Sequence, residues 1–235
     1  MRGYLYLMDA RNNPMFEVKN LACSRGNQPL FENVSFSVKP GQALHLEGDN
    51  GVGKTSLLRI VCGLSPADSG EVFWQGQLVQ TDPSAFRLAL FYLGHNLSLK
   101  EELSALENLQ ADATVAGRTL TQAQALTALA RMGLRGREHL PLRVMSQGQK
   151  RRTALARLLA SQAPLWVLDE PFVALDAKAV DGLRRVLTDH VGQGGMVIFT
   201  SHQTVTLQRL DGSVLDVQHY RLQPMAPSVP QKVLP

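Results

Sequence analysis

The chain has 235 residues, 44% hydrophobic and 19% charged, enough for one ordinary globular domain, or a domain with a small subdomain, around a sizeable core. Its net charge of +4 is mild: it is compatible with an anionic membrane surface or nucleic acid, and more simply with a solvated surface; the densest basic run, Lys150-Arg151-Arg152, is three residues at a helix start. Two cysteines, Cys23 and Cys62, argue against a disulfide framework and fit a reducing compartment, and no apolar run reaches the ~18–20 residues of a membrane span.

The N-terminal stretch MRGYLYLMDARNNP lacks the apolar run of a secretory signal; residues 1–14 read as a tail, with Met8 and Met15 as alternative starts. Residues 15–47 read as short strands. FEVKNLACS alternates in part, LFENVSFSV alternates at Val34, Phe36 and Val38, Pro40-Gly41 marks a turn, and Ala43 to Gly48 is a short, largely apolar strand. Directly after it comes GDNGVGKTS, which fits the phosphate-binding pattern G-x-x-x-x-G-K-[ST].

The chemistry of that run follows from its residues. Gly48, Gly51 and Gly53 allow backbone conformations that a side chain would block. The N–H groups of Gly48, Asp49, Asn50, Gly51, Val52, Gly53, Lys54, Thr55 and Ser56 are then available to an anion-binding nest. A helix starting near Gly53 adds its free N–H groups and positive dipole end. Lys54 reaches the β/γ-phosphates as a point charge, and the Thr55 hydroxyl is placed for Mg²⁺. Helical spacing continues at Leu57, Leu58, Val61 and Leu64, so the motif has the strand–loop–helix context it requires.

Further on, PADSGEVFWQGQ gives a turn at Asp68-Ser69-Gly70, a strand over Glu71–Trp74 and a turn at Gln75-Gly76, and LALFYLG (88–94) reads as an apolar strand. Residues 103–160 change character: rich in Ala and Leu and poor in β-branched residues, they read as a helical insert. Ser104 with Glu107 is a capping-box signature before ALENLQADATV. TQAQALTALARMGL is a second helix closed by Gly133, and QGQKRRTALARLLASQ a third. Then β/α alternation returns: LWVL (165–168) is a buried parallel-type strand, 177–191 a helix, and MVIFTSH (196–202) another buried strand. From about Met225 the chain is Pro-rich and reads as a disordered tail.

A phosphate loop needs a second carboxylate for Mg²⁺ and a group that activates water. LWVLDEP offers both at a strand end: Asp169 for the magnesium shell, and Glu170 as base or polariser for the attacking water. MSQGQ (145–149) precedes a basic helix, Phe172-Val173-Ala174-Leu175-Asp176 follows the carboxylates, and His202 ends the next buried strand, 33 residues after Asp169.

Together these pieces resemble the ABC-type ATPase cassette over about residues 15–220. MSQGQ is similar to the LSGGQ signature, Ala174-Leu175-Asp176 to the D-loop, and Ser201-His202 to the H-switch. Each piece is unspecific alone; four in the right order and spacing are specific. The resemblance implies an α/β fold, a P-loop (RecA-like), mostly parallel sheet with an N-terminal antiparallel β subdomain and an inserted α-helical subdomain. The expected bounds are 15–222 for one ATPase domain (15–102 and 160–222 the core and β subdomain, 103–159 the helical signature subdomain), with tails at 1–14 and 223–235.

The resemblance also implies a mechanism with ATP and Mg²⁺ as cofactors. A second copy of the chain closes head to tail, so that Ser146, Gln147, Gly148 and Gln149 meet the nucleotide held by the partner's phosphate loop. Ser146 and the Gly148 N–H touch the γ-phosphate, Glu170 orients water, His202 contacts the γ-phosphate, and Asp176 links the two sites. Three positions depart from the family pattern. His95, beside Asn96, stands where the Q-loop usually has Gln; Arg25 stands where an aromatic usually stacks on adenine; Gln147 replaces a glycine of the signature and is expected to be tolerated. Arg25 is as compatible with a solvated side chain as with stacking on the base.

GHN, K-x-E-L-S-A-L-E-N-L, LWVLDEPFVALD and GGMVIFTSHQ are similar to the haem-exporter branch of the family that serves cytochrome c maturation. That likeness implies a peripheral subunit on the cytoplasmic face of a bacterial inner membrane. Its partners would be integral membrane subunits of a haem-handling complex, with ATP hydrolysis coupled to haem export or to release of a haem-loaded chaperone. Neither Cys23 nor the histidines are read as haem ligands. The alternatives are the ATPase subunit of a different exporter and, more distantly, a soluble ATPase acting on nucleic acid. Against the latter, no paired cassette, zinc module or long coiled coil is present. No guanine-reading N-K-x-D occurs, and no nucleic-acid partner is expected.

Overall fold

The computed structural model describes residues 16–26, 28–209 and 211–225. The expected tail at 1–14 and the Pro-rich segment beyond Met225 lie outside the described residues. The chain begins with β1 (Phe16–Arg25), β2 (Gln28–Val38) and β3 (Ala43–Glu47), followed by α1 (Lys54–Val61). Next come β4 (Ser69–Trp74), β5 (Gln77–Leu78), α2 (Pro83–Ala89) and β6 (Leu90–Leu93). Three helices follow, α3 (Ala105–Val115), α4 (Gln122–Arg131) and α5 (Gln147–Ser161). The chain then forms β7 (Leu165–Leu168), α6 (Ala177–Gly192), β8 (Met196–Thr200) and β9 (Val217–Arg221).

Two sheets result: an antiparallel one in the order β2-β1-β4-β5, and a five-stranded one, parallel throughout, in the order β6-β7-β8-β3-β9. The parallel sheet divides two cores. Leu44, Leu46, Leu165, Val167, Met196 and Ile198 join Phe16, Val18, Leu57 and Leu58 on the side of α1 and the antiparallel sheet. Their neighbours Trp166, Leu168, Val197 and Phe199 join Leu109, Leu129, Leu155 and Leu187 from α3 to α6 on the other. Burial on both faces explains why these strands read as unbroken apolar runs. The sheet and the helical stretch thus share one continuous core.

The turns and caps follow local chemistry. Ser104 and Glu107 close the expected capping box on α3, and Thr121 with Gln124 closes another on α4, which ends before Gly133 at φ 72°. In the antiparallel sheet the register of β1 against β4 slips between Lys19 and Ala22. Gly70 fills that slip at φ +89°, where a Cβ would stand 2.4 Å from the Asn20 carbonyl oxygen.

The structure corrects three element expectations and adds a strand that was not expected. The helix after the phosphate loop stops at Val61, so Leu64 lies beyond its cap and is 51% exposed. Leu88 and Ala89 belong to α2, not to a strand: Asp82 caps this helix by accepting from the Ala85 N–H, and Pro83 starts it. The strand expected over 196–202 ends at Thr200, which leaves Ser201 and His202 in a loop. Finally, β9 forms the sheet edge although its sequence, VQHYR, carries no apolar run.

Candidate functional site

The phosphate loop leaves the C-terminal end of β3, the carboxylate pair that of β7 and Ser201-His202 that of β8. In open α/β sheets this is the edge where ligands bind. Gly48, Gly51 and Gly53 have φ of 147°, 82° and 106°. The loop is tightly housed: a Cβ on Gly48 would stand 2.9 Å from the Leu222 carbonyl oxygen, and one on Gly53 3.1 Å from Phe31 Cδ1. Gly53 caps α1 without a side-chain hydrogen bond, leaving the first helical N–H groups to a ligand. Lys54 is 9% exposed; its ammonium donates to the carbonyls of Gly48 (2.6 Å) and Asp49 (3.1 Å). A buried cation curled inside a ring of glycines, at an uncapped helix start, fits a polyphosphate.

Thr55 and Asp169, 114 positions apart, meet directly: the Thr55 hydroxyl donates to Asp169 Oδ2 at 2.7 Å. The other carboxylate oxygen accepts from the Thr200 hydroxyl at 2.8 Å, and the same hydroxyl accepts from the Glu170 N–H at 2.8 Å. The Asp169 N–H donates to the Leu93 carbonyl at 2.7 Å, which ties this strand end to β6. Asp169 is 3% exposed. The hydroxyl and carboxylate oxygens form a hard donor pair suited to Mg²⁺ with water and phosphate as its remaining ligands.

Glu170 sits in the left-handed region at φ 51°. Its Oε1 is buried without a hydrogen bond, and His202 Nε2 lies 3.3 Å away, inside ion-pair range but off hydrogen-bond geometry. A strained backbone and an unsatisfied buried carboxylate oxygen are both costly and mark a functional position. The carboxylate is positioned to accept a proton or a water hydrogen, with the half-exposed His202 beside it.

Arg151 is the residue of the basic run that departs from the surface reading. Only 6% exposed, it donates through Nη2 to the Asp169 carbonyl at 3.2 Å and to the Glu170 carbonyl. Burial lowers its pKa, against the opposing pull of Asp169 and Glu170. It pins α5 to the carboxylate loop.

Ser146 is the N-cap of α5 and forms a capping box with Gln149. Ser146 and Gln147 are exposed, and no hydrogen bond among the described residues joins this segment to the phosphate loop. Gly148 lies against the next loop: a Cβ there would stand 3.1 Å from the Ala174 carbonyl oxygen. Asp176 is exposed and caps α6 by accepting from the Ala179 N–H at 2.8 Å. His95 is exposed just past β6 and has no hydrogen-bond partner among the described residues. Arg25 is exposed at the end of β1, opposite Gln28. The fold thus gathers Lys54, Thr55, Asp169, Glu170 and His202, and leaves Ser146 and Gln147 of the signature, His95 and Arg25 facing solvent. Sequence reasoning missed Thr200 and Arg151. It also missed the capping box on α5, which was readable as S-x-x-Q in Ser146-Gln147-Gly148-Gln149.

A phosphate loop joined to a carboxylate pair at the edge of a parallel sheet defines a P-loop ATPase. The ABC transporter family model matches residues 31–173, and the chain belongs to that family as an ATP-binding subunit. It is 49% identical over 193 residues to the cytochrome c biogenesis ATP-binding export protein CcmA of Dechloromonas aromatica, covering 82% of this chain and 95% of that one. It is 48% identical to the protein of the same name from Nitrosomonas europaea, covering 83% and 94%. Among solved structures, the ATP-binding subunit of an ABC transporter superposes with a TM-score of 0.71 at 27% identity over 80% of each chain. A dimeric bacterial ABC transporter cassette gives 0.72 at 25% identity over 80% of this chain and 88% of that one. No helix among the described residues is long and apolar enough to cross a membrane.

Proposed function

We propose that the chain is the ATP-hydrolysing subunit of an export complex for c-type cytochrome assembly, acting at the cytoplasmic face of a bacterial inner membrane through integral membrane partners. The work it drives is haem export or release of a haem-loaded chaperone. The observation that carries this reading is the 49% identity over 95% of a relative named for that process.

In this reading Gly48 to Ser56 hold the phosphates, and Lys54 leaves its loop carbonyls to pair with them. Thr55 and Asp169 would hold Mg²⁺, which neutralises phosphate charge when bound. Glu170 takes the proton of the attacking water, and His202 turns from Glu170 to the γ-phosphate. Ser146 and the Gly148 N–H complete the site from a second copy, with Asp176 linking the two sites. The exposed signature supports this reading, since it is incomplete within one chain. His95 passes the nucleotide state to the membrane partners, and Arg25 lies on the adenine side.

The test is in the cell of origin. Replacing the chromosomal gene by its Lys54→Ala form should abolish covalent haem on c-type cytochromes, read by haem staining, with restoration by the wild-type gene. Normal haem content at normal protein level would overturn the proposal.

A further inference from the structure

We propose that His45, Glu47 and His219 form a second metal site, for a divalent transition ion of the Zn²⁺ or Co²⁺ type, beside the loop that carries His202. In the parallel pairing of β3 with β9, His45 stands opposite His219, and Glu47 lies two residues on, on the same face. One ligand atom from each of the three lies within 4.8 Å of the others. His219 Nδ1 is 2.7 Å from Glu47 Oε1, and His45 Nδ1 is 3.3 Å from the same oxygen.

The observation that points to a ligand is His45. It is 3% exposed, and its Nδ1 has no hydrogen bond. Its Nε2 lies 3.2 Å from the Ser201 carbonyl oxygen, which assigns the proton to Nε2 and leaves a lone pair on Nδ1 facing Glu47 and His219. A metal-bound imidazole typically has this arrangement, one nitrogen toward the ion and the other donating to a backbone carbonyl. The ring is held flat against Phe199, with centroids 4.7 Å apart and planes 6° apart.

The donor set also selects the ion. Two imidazoles and one carboxylate are the protein ligands of an open zinc site, whereas Mg²⁺ prefers oxygen donors such as Thr55 and Asp169. Access is open: the His219 side chain is 53% exposed, and the Glu47 side chain, 34% exposed, lines with His45 a cleft of about 220 Å³ that Ser201, His202 and Arg221 also line. Through the Nε2–H bond to Ser201, an ion on His45 would fix the start of the loop whose next residue is His202.

Co²⁺ titration of the tag-free, nucleotide-free full chain in excess Mg²⁺ tests this, in a Cys23→Ser background to remove the partly exposed thiol. The expected result is one saturable Co²⁺ per chain with a visible absorption band, displaced by Zn²⁺. His219→Ala and Glu47→Gln, both at exposed or half-exposed positions, should each weaken binding by at least the ~10–100-fold typical of losing even an outer-shell partner. Zn²⁺ should raise the Tm of the parent chain and not that of the His219→Ala variant. Absence of a saturable band in the parent overturns the proposal. So does unchanged affinity in both variants, which places the ion on other histidines.

Discussion

Thr200 ties together both carboxylate residues that follow β7. Its one hydroxyl donates to Asp169 and accepts from the Glu170 N–H, so the metal-side carboxylate and the backbone of the candidate base share a fully buried anchor. Thr200→Val keeps the shape and removes both bonds. A buried N–H left unpaired costs about 1–3 kcal/mol, and that strain falls on Glu170, already at φ 51°. Steady-state kinetics should show kcat down by roughly tenfold or more, since ~1.4 kcal/mol is tenfold, with KM for ATP little changed; an equal rise in KM would assign Thr200 to binding instead. A second residue bears on acid stability. His190 is buried, stacked on Trp166 with centroids 3.6 Å apart, and burial pushes its pKa down from 6.5 to about 4. The unfolded chain therefore binds the extra proton first, and the stability due to neutral His190 is complete above pH 6.5 and lost as pH falls toward 4. At 1.36 kcal/mol per unit this is about 3 kcal/mol. Urea midpoints between these pH values should fall further for the wild type than for His190→Phe; parallel curves would rule His190 out.

Among the elements, the antiparallel sheet depends on one glycine. At Gly70 both the left-handed backbone and the 2.4 Å approach to the Asn20 carbonyl exclude a side chain, and the obstructing atom is backbone. Gly70→Ala should cost about 2–5 kcal/mol, combining 1–2 for the left-handed residue and 1–3 for overpacking. At about 2–4 °C per kcal/mol for a chain of this size, calorimetry should show a Tm lower by roughly 4–20 °C. The elements also show what the sequence revealed and what it concealed. The phosphate loop was legible because its function fixes residue types at fixed spacing, and β7 and β8 because a strand buried on both faces must be apolar throughout. The short helix α2 buries only Phe86, too little for a period to emerge, although Asp82-Pro83 is a start signal. As an edge strand, β9 is satisfied by backbone pairing with β3 and leaves its side chains half in water, so nothing apolar announces it. Arg151 is hidden among three consecutive basic residues; only the path of α5 over the carboxylate loop decides that the middle one is buried.

For the molecule as a whole, the exposed signature makes composition of the active site a matter of stoichiometry. In the proposed head-to-tail dimer, a Lys54→Ala chain still offers a sound signature, and a Ser146→Arg chain still offers a sound phosphate loop. Each variant alone should be inactive, while an equal mixture should regain ATPase activity through dimers with one intact site. A mixture as inactive as its components would place the whole site within one chain. The strand order carries a different consequence, for synthesis on the ribosome. The strand that presents the phosphate loop, β3, lies between β8 and β9, the last two strands in chain order among the described residues. About 150 residues separate the end of β3 from the start of β8, roughly 7–30 s of translation at ~5–20 residues per second. Throughout that interval Ala43-Leu44-His45-Leu46 waits without either neighbour, so the nascent chain holds an unpaired strand beside an unfinished nucleotide pocket until β8 emerges.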